Sequence, residues 1–124
     1  MGEKVKSIRY RNIRNSRRGK ETEEIVMKLY GILPSSEKLY DGIYKNMEAE
    51  IKSCLYRYNG KRYGRVTFTE SQRKAIIDGK IKLLFIRIID EKRDKEAYLV
   101  IDTKNIRKLP KQPSWKSLSK YIGE

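Results

Sequence analysis

The most apolar segment of the chain limits its fold more than any other feature. It is the run from Ile81 to Ile89, IKLLFIRII, in which apolar residues follow one another without the alternation of a half-exposed strand. A continuous apolar run of this length is typical of a strand that is buried on both faces. We therefore predict a central strand here, in a β-sheet with helices on its faces.

The residues around this run predict further helices and strands. In chain order, the predicted elements are a helix from about Lys20 to Tyr30, strands at Leu39–Tyr44, Met47–Leu55 and Val66–Phe68, a helix from Thr69 to Gly79, the central strand, and a strand at Ala97–Ile101. The second helix has a clear local signal, because Thr69 and Gln72 have the spacing of a capping box and Gly79 is a C-terminal stop. This order indicates an α/β domain with a small mixed β-sheet flanked by helices.

The chain of 124 residues has the length of one ordinary domain, and its two ends differ from the middle. Residues 1–18 are basic and polar with few side chains to bury, so we expect an N-terminal arm. Residues 19–109 form the expected α/β domain. Residues 110–124 form a docking tail, in which Trp115 and two further apolar residues recur every third position. We expect Trp115 to anchor this tail or to take part in a dimer contact rather than to stack on a base.

The excess of positive charge indicates that the chain has a negatively charged partner. The chain carries 30 Lys and Arg against 16 Asp and Glu, a formal charge of +14. Residues 1–20 hold +7 of this and residues 104–124 hold +5, which leaves +2 for the residues between them. Two basic ends around a nearly balanced body favour a polyanion, and on a chain this short we expect DNA. The alternative is a solvated surface rich in Lys and Glu.

Residue types that the sequence lacks exclude several classes of function. It has no His, so a His-based triad and a His-ligated metal are excluded, and chemistry must come from carboxylates, Lys, hydroxyls or a bound metal. Its one cysteine, Cys54, excludes an internal disulfide and fits an intracellular, cytoplasmic protein. We interpret Cys54 as a small packing residue. No apolar stretch has the length of a membrane span, so no membrane association is expected.

Acidic residues and a lysine flank the turn between the first two predicted strands. If the hairpin turns at Lys45-Asn46, Asp41 lies opposite Glu50, and Lys52 follows Glu50 on the same strand face. Like charges placed this close repel unless a cation lies between them. The two carboxylates and the main-chain carbonyl of Ile51 therefore predict a site for Mg²⁺ (or Mn²⁺). The alternative is a polar strand face of Glu and Lys in contact with water.

Such a site fits the hydrolysis of a phosphodiester bond. The reaction needs a deprotonated water as nucleophile and a Lewis acid for the charge that develops on the phosphate. Lys52 would orient or help to deprotonate this water and would stabilise the transition state. The expected chemistry needs no small-molecule cofactor.

Basic residues on two segments are candidates for contact with the DNA backbone. A stretch from Tyr56 to Arg65 interleaves tyrosines with basic residues, a composition suited to base stacking and phosphate contact. A plain β-hairpin with cross-strand Tyr pairs is the alternative explanation of these tyrosines. The candidates are Arg9, Arg11, Arg14, Arg17, Arg18 and Lys20 near the N-terminus, and Arg57, Lys61, Arg62 and Arg65 in the Tyr-rich stretch.

The order of these motifs resembles the PD-(D/E)XK nuclease superfamily. An acidic first helix beginning at Gly19, then Asp41, the triplet Glu50-Ile51-Lys52 and Gln72 on the next helix follow one another as in that superfamily, over roughly residues 14–108. Within the superfamily, the chain is similar to archaeal Holliday-junction resolvases and other small restriction-like endonucleases. It departs from them in having Tyr40 instead of Pro before Asp41 and a short interval of nine positions from Asp41 to Glu50.

The resemblance implies a restriction-endonuclease-like core and a role for the matching residues. Asp41 and Glu50 would bind Mg²⁺, and Lys52 would assist the attacking water. A Glu on the first helix would complete the acidic cluster. Glu23 is favoured because it lies nearer the core edge, and Glu21 is the alternative.

Gln72 would support this site, although its place in the capping box is a sufficient explanation by itself. The expected function is a Mg²⁺-dependent DNA endonuclease of the structure-specific, Holliday-junction-resolving type. A homodimer is expected because cutting two strands needs two sites. The alternative is a non-catalytic basic DNA-binding or architectural protein, which would gain nothing from two carboxylates placed beside DNA. The sequence leaves open whether the substrate is a junction, a specific duplex site or a flap.

Overall fold

A mixed β-sheet is the centre of the fold. The computed structural model describes residues 8–58 and 60–122, with side chains described from Arg18 onward. The strands of this part of the chain are β1 (Leu33–Pro34), β2 (Gly42–Tyr44), β3 (Met47–Leu55), β4 (Arg57–Tyr58), β5 (Arg62–Tyr63), β6 (Leu83–Asp90) and β7 (Lys95–Asp102). Five of them form the main sheet in the order β1-β2-β3-β6-β7, while β4 and β5 form a separate hairpin. Only β3 and β6 are parallel to each other among these paired strands.

Helices connect and cover the strands. They are α1 (Ile8–Tyr30), α2 (Glu70–Ile77) and α3 (Trp115–Leu118), with short 3₁₀ turns at Thr103–Asn105 and Ser119–Tyr121. The connection between the parallel strands β3 and β6 contains the β4–β5 hairpin and α2. In the described residues, no helix has both the length and the apolar character that crossing a membrane requires. The predicted class, α/β with a small mixed sheet and helices, is confirmed.

Both faces of the sheet are covered, as the apolar run predicts. On one face, Phe85 of β6 packs in a cluster with Val26 of α1. On the other face, Leu84 and Ile86 of β6 pack with Ile76 of α2 and with the C-terminal segment. Because successive residues of a strand point to opposite faces, β6 contributes to two cores at once. The central strand is therefore confirmed, and its lack of polar alternation follows from this double burial.

Helix α1 begins earlier than the sequence predicts. It runs from Ile8, twelve residues before the predicted start at Lys20, so the backbone of residues 8–18 of the expected arm is helical. The scarcity of apolar residues in this stretch made the predicted start wrong. Arg has good intrinsic helix propensity, no Pro interrupts the segment, and a packed helix can extend beyond the turns that it buries. Residues 1–7 of the expected arm lie outside the described residues.

The β2–β3 hairpin has the predicted turn. Lys45 and Asn46 both have positive φ angles, 49° and 68°, which the two central residues of a type I′ turn require. The observed cross-strand pairs follow from this turn and are Tyr44–Met47, Ile43–Glu48 and Gly42–Ala49. Strand β3 has the predicted bounds. Strand β2 is shorter than predicted, because it begins at Gly42 instead of Leu39.

Residues Val66 to Phe68 do not form the predicted strand. The N–H groups of Val66 and Phe68 donate to the carbonyls of Pro113 and Lys111, both at 3.0 Å, so this segment lies along the C-terminal tail. The partner is more than 40 residues away in the sequence, and the local apolar pattern therefore did not reveal it.

The structures of helix α2 and of the C-terminal tail agree with the predictions from the sequence. Thr69 is the N-cap of α2, both hydrogen bonds of its capping box with Gln72 are present, and Gly79 follows the helix with a φ of 81°. The tail docks through Trp115, whose Nε1 donates to the carbonyl of Tyr56 at 2.9 Å. Leu118 of α3 is 2% exposed, so the predicted docking helix is confirmed, with Trp115 as an anchor within the chain.

Candidate functional site

The predicted catalytic and metal-binding residues line one cleft at an edge of the sheet. Pairing between β2 and β3 ends at Gly42–Ala49, and in the described residues no strand lies beside the rest of β3 on that side. A cleft of about 480 Å³ occupies this open edge and is bounded by α1, β3 and α2. Its lining residues are Arg18, Gly19, Thr22, Glu23, Asp41, Glu50, Ile51, Lys52, Ser53, Arg65, Thr67 and Gln72. All five predicted catalytic residues are among them.

Asp41 lies just outside the ladder that was expected to contain it. Its N–H donates to the carbonyl of Ala49 at 3.0 Å, and its carboxylate Oδ2 accepts from the N–H of Ile51 at 2.8 Å. The expected direct pairing of Asp41 with Glu50 is therefore wrong, because the ladder ends one residue earlier. The carboxylate takes the place of a strand carbonyl and satisfies an N–H group at the open edge. This bond still holds Asp41 beside Glu50.

Glu50 is a buried carboxyl group in a polar cleft. It is 3% exposed. Burial, followed by the negative charge of Asp41, raises the pKa of Glu50 to about 8, and the charge of Lys52 opposes this rise. Burial without full compensation is costly for a carboxylate, so the site favours either a proton or a cation at this position.

Gln72 joins Glu50 to Lys52. Its Oε1 accepts from the N–H of Thr69 at 2.9 Å and from Nζ of Lys52 at 3.1 Å, and its Nε2 donates to Oε2 of Glu50 at 3.1 Å. The backbone N–H can only donate, so it fixes which end of the amide is the oxygen. Nζ of Lys52 also lies 3.5 Å from Oε2 of Glu50. Gln72 therefore serves the helix cap and the cleft together, which answers the alternative left open by the sequence.

Glu23 is the acid of α1 that lines this cleft. Burial and the charge of Asp41 raise its pKa, while the charges of Lys52 and Lys20 oppose the rise. Glu21, the alternative, does not line the cleft, and its carboxylate is 3.9 Å from the guanidinium of Arg87. The position of Glu23 agrees with the preference derived from its place on the helix.

Asp41, Glu50 and the carbonyl of Ile51 are the groups that would hold a metal ion. The described part of the chain contains no group of three or more acidic or Cys residues arranged for metal binding, so the donor set consists of two carboxylates and a carbonyl. The donor chemistry fits a hard cation, because both carboxylates are oxygen donors and the charge of Asp41 acts on Glu50. Mg²⁺ is commonly bound by one or two carboxylates together with several waters.

The predicted DNA-binding residues fall into three groups. Arg18 and Arg65 line the cleft. Lys20 is exposed on α1 one turn before Glu23, and Arg57, Lys61 and Arg62 lie on the β4–β5 hairpin, outside the cleft lining. The side chains of Arg9, Arg11, Arg14 and Arg17 lie outside the described residues.

The Tyr-rich stretch forms the hairpin that was the alternative explanation of its composition. Its cross-strand pairs join Tyr with Arg rather than Tyr with Tyr: Arg57 lies opposite Tyr63, and Tyr58 lies opposite Arg62. The guanidinium of Arg57 is 4.4 Å from the ring centre of Tyr63, within the range of a cation–π contact. Cys54 is 2% exposed and burial raises its pKa to about 12, which agrees with a packing residue.

Sequence analysis did not identify Arg87 and Thr22. Arg87 on β6 is 5% exposed, and its Nη1 donates to Oγ1 of Thr22 at 3.0 Å. Its Nε and Nη2 donate to the two carboxylate oxygens of Glu96, at 3.0 and 2.6 Å. Thr22 precedes Glu23, so this buried contact ties α1 to the sheet next to the cleft. The only sequence signal is a charged residue within the central apolar run.

The chain was compared with protein-family models, with curated proteins and with solved structures, and none of them matches it.

Proposed function

We propose that this protein is a metal-dependent DNA endonuclease with Asp41, Glu50, Lys52, Gln72 and Glu23 as its site residues. The observation that carries the proposal is the position of Glu50. It is 3% exposed beside Asp41 in an open cleft, with Nζ of Lys52 at 3.5 Å. A buried carboxyl group next to a second acid destabilises the fold when both are ionised, unless a cation binds there.

Each side chain of the site has a task that its contacts support. A bound Mg²⁺ (or Mn²⁺) would supply Lewis acidity and lower the pKa of water. Asp41 is held in place by the N–H of Ile51, and Glu50 by the amide of Gln72. Gln72 also holds the ammonium group of Lys52 towards Glu50, where its positive charge would stabilise the developing charge on a phosphate.

Basic residues at the cleft support DNA as the substrate. Arg18 and Arg65 line it, and a phosphate backbone placed there would contact two cations from separate segments of the chain. The exposed cations of the hairpin, Arg57 and Lys61 among them, would extend this contact beyond the cleft. Without such cations, the acids of the cleft would repel DNA.

A restriction-endonuclease-like core and a homodimer belong to the same proposal. The element order supports the restriction-endonuclease-like core: an acidic helix, Asp41 directly before β2, the Glu50–Lys52 strand and a Gln-bearing helix follow one another before the late strands. The homodimer rests on the resemblance and on the need to cut two strands, because a C₂ arrangement would supply two sites. Sedimentation equilibrium checks it: a mass near twice 14.7 kDa is expected, and a monomer at all concentrations would contradict it.

A cleavage assay tests the proposal. Supercoiled plasmid and a four-way junction are each incubated with the protein and Mg²⁺, Mn²⁺ or EDTA. We expect cleavage that depends on the metal and is abolished in D41A and K52A. Both variants should still bind DNA. Asp78→Ala and Lys80→Ala are matched controls, because they remove the same charges from exposed positions outside the cleft.

Two results would refute the proposal. One is DNA binding without cleavage under either metal, which is the behaviour of a non-catalytic DNA-binding protein. The other is cleavage that survives D41A and K52A, because it would originate elsewhere in the protein or in a contaminant. The ratio of junction to plasmid cleavage distinguishes a structure-specific enzyme from a general one.

A further inference from the structure

A second concavity lies on the C-terminal segment and shares no lining residue with the cleft. It measures about 450 Å³, a size typical of small-ligand sites. Its floor is apolar and includes Leu109, Leu118 and Tyr121. Its rim carries the cations Arg107, Lys108 and Lys120. We call this concavity the tail groove.

The charged residues that line the tail groove are all cations. No Asp or Glu occurs from Thr103 to Gly123, a stretch with six Lys and Arg. None of the three rim cations forms an ion pair with another described residue. Arg107 donates to the carbonyl of Lys104, and the ammonium group of Lys120 lies 5.2 Å from the ring centre of Tyr121. The groove therefore combines an apolar floor and an aromatic ring with cations that lack acidic partners.

We propose that the tail groove binds unpaired nucleotides of a DNA substrate, an inference that rests on the proposed function and narrows its substrate class. An unstacked base has an apolar face that fits an apolar floor with a Tyr ring, and the phosphates on either side of it need cations. Duplex DNA presents phosphates and no free base face, so the groove offers it no contact that other basic surfaces of the chain lack. The groove thus favours a branched or partly single-stranded substrate over a plain duplex.

The path between the two sites supports a single substrate for both. Val66 and Phe68 are hydrogen-bonded to Pro113 and Lys111. Thr67, between them, lines the cleft, whereas Pro113 lines the tail groove. The two sites therefore lie on either side of one pair of hydrogen-bonded segments. A DNA strand that leaves the cleft across this pair of segments would pass the exposed Lys111 on its way to the tail groove.

An acidic peptide is the competing occupant, since it would also neutralise the rim. The carboxylates of such a peptide would pair with the rim cations. They would leave the Tyr121 ring and the apolar floor without a role unless the peptide also carried apolar residues. Charge and floor are explained together by a nucleotide, so we take nucleic acid as the occupant and test the peptide as a competitor.

A binding measurement tests the inference without any need for cleavage. Anisotropy of labelled oligo-dT, of about 10 nucleotides as suits a short single-strand site, is followed in EDTA. The groove variant combines Arg107→Ala, Lys108→Ala and Lys120→Ala. A matched control removes three exposed lysines elsewhere, namely Lys80, Lys92 and Lys95.

We expect the groove variant to bind oligo-dT roughly 10-fold more weakly than the control variant, and to bind a duplex of equal length as the control does. For oligo-dT, the slope of log affinity against log salt concentration should be less steep in the groove variant than in the control variant by about 2. This is the value for three lost phosphate contacts on a single strand. Tyr121→Ser should weaken oligo-dT binding, and Tyr121→Phe should restore it, because only the ring is required. Thermal melts of each variant establish that it is folded.

Several results would overturn the inference. Equal losses in the groove and control variants would mean that only net charge matters, and an equal loss for duplex would mean that the groove does not distinguish unpaired DNA. Displacement of the labelled oligo-dT by an unlabelled poly-glutamate peptide with a similar affinity would favour the peptide as occupant. These results differ from a failure of the proposed function, because groove-dependent binding of oligo-dT by a protein that never cleaves would refute only the nuclease.

Discussion

Gln72 on α2 donates a hydrogen bond from its side-chain nitrogen to Oε2 of Glu50 on β3, at 3.1 Å. The oxygen of the same amide accepts from the N–H of Thr69, the N-cap of α2, and from Nζ of Lys52. A side chain that caps a helix therefore also orients two groups of the cleft. This links the local stability of α2 to the geometry of the candidate site, and a pair of variants separates the two roles.

Replacing Gln72 with Ala should lower both stability and activity. Loss of its part of the capping box should cost about 1 kcal/mol in the free energy of unfolding. Cleavage should fall roughly 10- to 100-fold, the usual effect of removing a group that orients metal ligands. Thr69→Ala is the matched control: it removes the other half of the box without touching Glu50 or Lys52. Urea unfolding and plasmid cleavage measure both quantities, and an equal loss of cleavage in both variants would assign the effect to the helix alone.

Glu50 should make stability depend on pH. Its pKa of about 8 when folded, against 4.5 ordinarily, means that the folded state keeps a proton that the unfolded chain releases between these values. Its stabilising contribution is therefore complete below about pH 4.5 and is lost as the pH rises to about 8. Glu50→Gln stays neutral throughout, so it should match the wild type at pH 5 and exceed it at pH 9 by on the order of 3 kcal/mol. Urea unfolding without divalent cations measures this, and curves that fall in parallel for both proteins would contradict it.

Mg²⁺ should stabilise the protein more at high pH. A metal binds the ionised carboxylates, so at low pH it must displace the proton that the raised pKa of Glu50 retains. The rise in Tm on adding Mg²⁺ should therefore be larger at pH 9 than at pH 6. Glu50→Gln should show little rise at either pH. A rise that is independent of pH, or equal in the variant, would place the metal elsewhere.

Glu23 and Glu21 should differ in their effect on cleavage. Glu23 lines the cleft within the field of Asp41 and Lys52, while the side chain of Glu21 is 59% exposed and faces Arg87. Glu23→Gln should lower the cleavage rate by roughly 10-fold or more, an effect expected for an acid that helps to position a metal or its waters. Glu21→Gln removes the same charge from the same helix and should leave the rate nearly unchanged. A greater loss in the Glu21 variant would reverse the assignment.

Arg87 should contribute far more to stability than an exposed arginine with a similar ion pair. Arg87→Met leaves the buried hydroxyl of Thr22 without its donor and breaks the bidentate bond to Glu96, so we expect a loss of about 2–4 kcal/mol. Arg93 pairs with Asp90 at 3.1 Å, but its side chain is 67% exposed, and Arg93→Ala should cost less than about 1 kcal/mol. Urea unfolding compares the two, and similar losses would mean that burial adds nothing to the Arg87 contacts.

The sequence alone was sufficient to predict those elements whose structure depends on residues close together in the chain. The turn at Lys45-Asn46, the capping box of Thr69 and Gln72, and the doubly buried strand β6 each depend on residues that are close in the chain, so their patterns could be recognised directly. The hairpin brought Asp41 and Glu50 near each other for the same reason. These elements predicted that Asp41, Glu50 and Lys52 lie close together, whereas Glu23 and the supporting role of Gln72 were named from the family resemblance, and Thr22 was missed.

Tertiary structure decided what depends on residues far apart in the chain. The pairing of Val66 and Phe68 with the tail, the contact of Arg87 with Thr22, and the end of the ladder before Asp41 all involve groups that find their partners only when the sheet and helices are assembled. The burial of Glu50 is of this kind as well, because this residue of β3 is 3% exposed only in the folded chain, where Gln72 of α2 donates a hydrogen bond to its carboxyl group. Local sequence patterns placed Asp41 and Glu50 near each other, and the packed structure determined the cost of ionising Glu50.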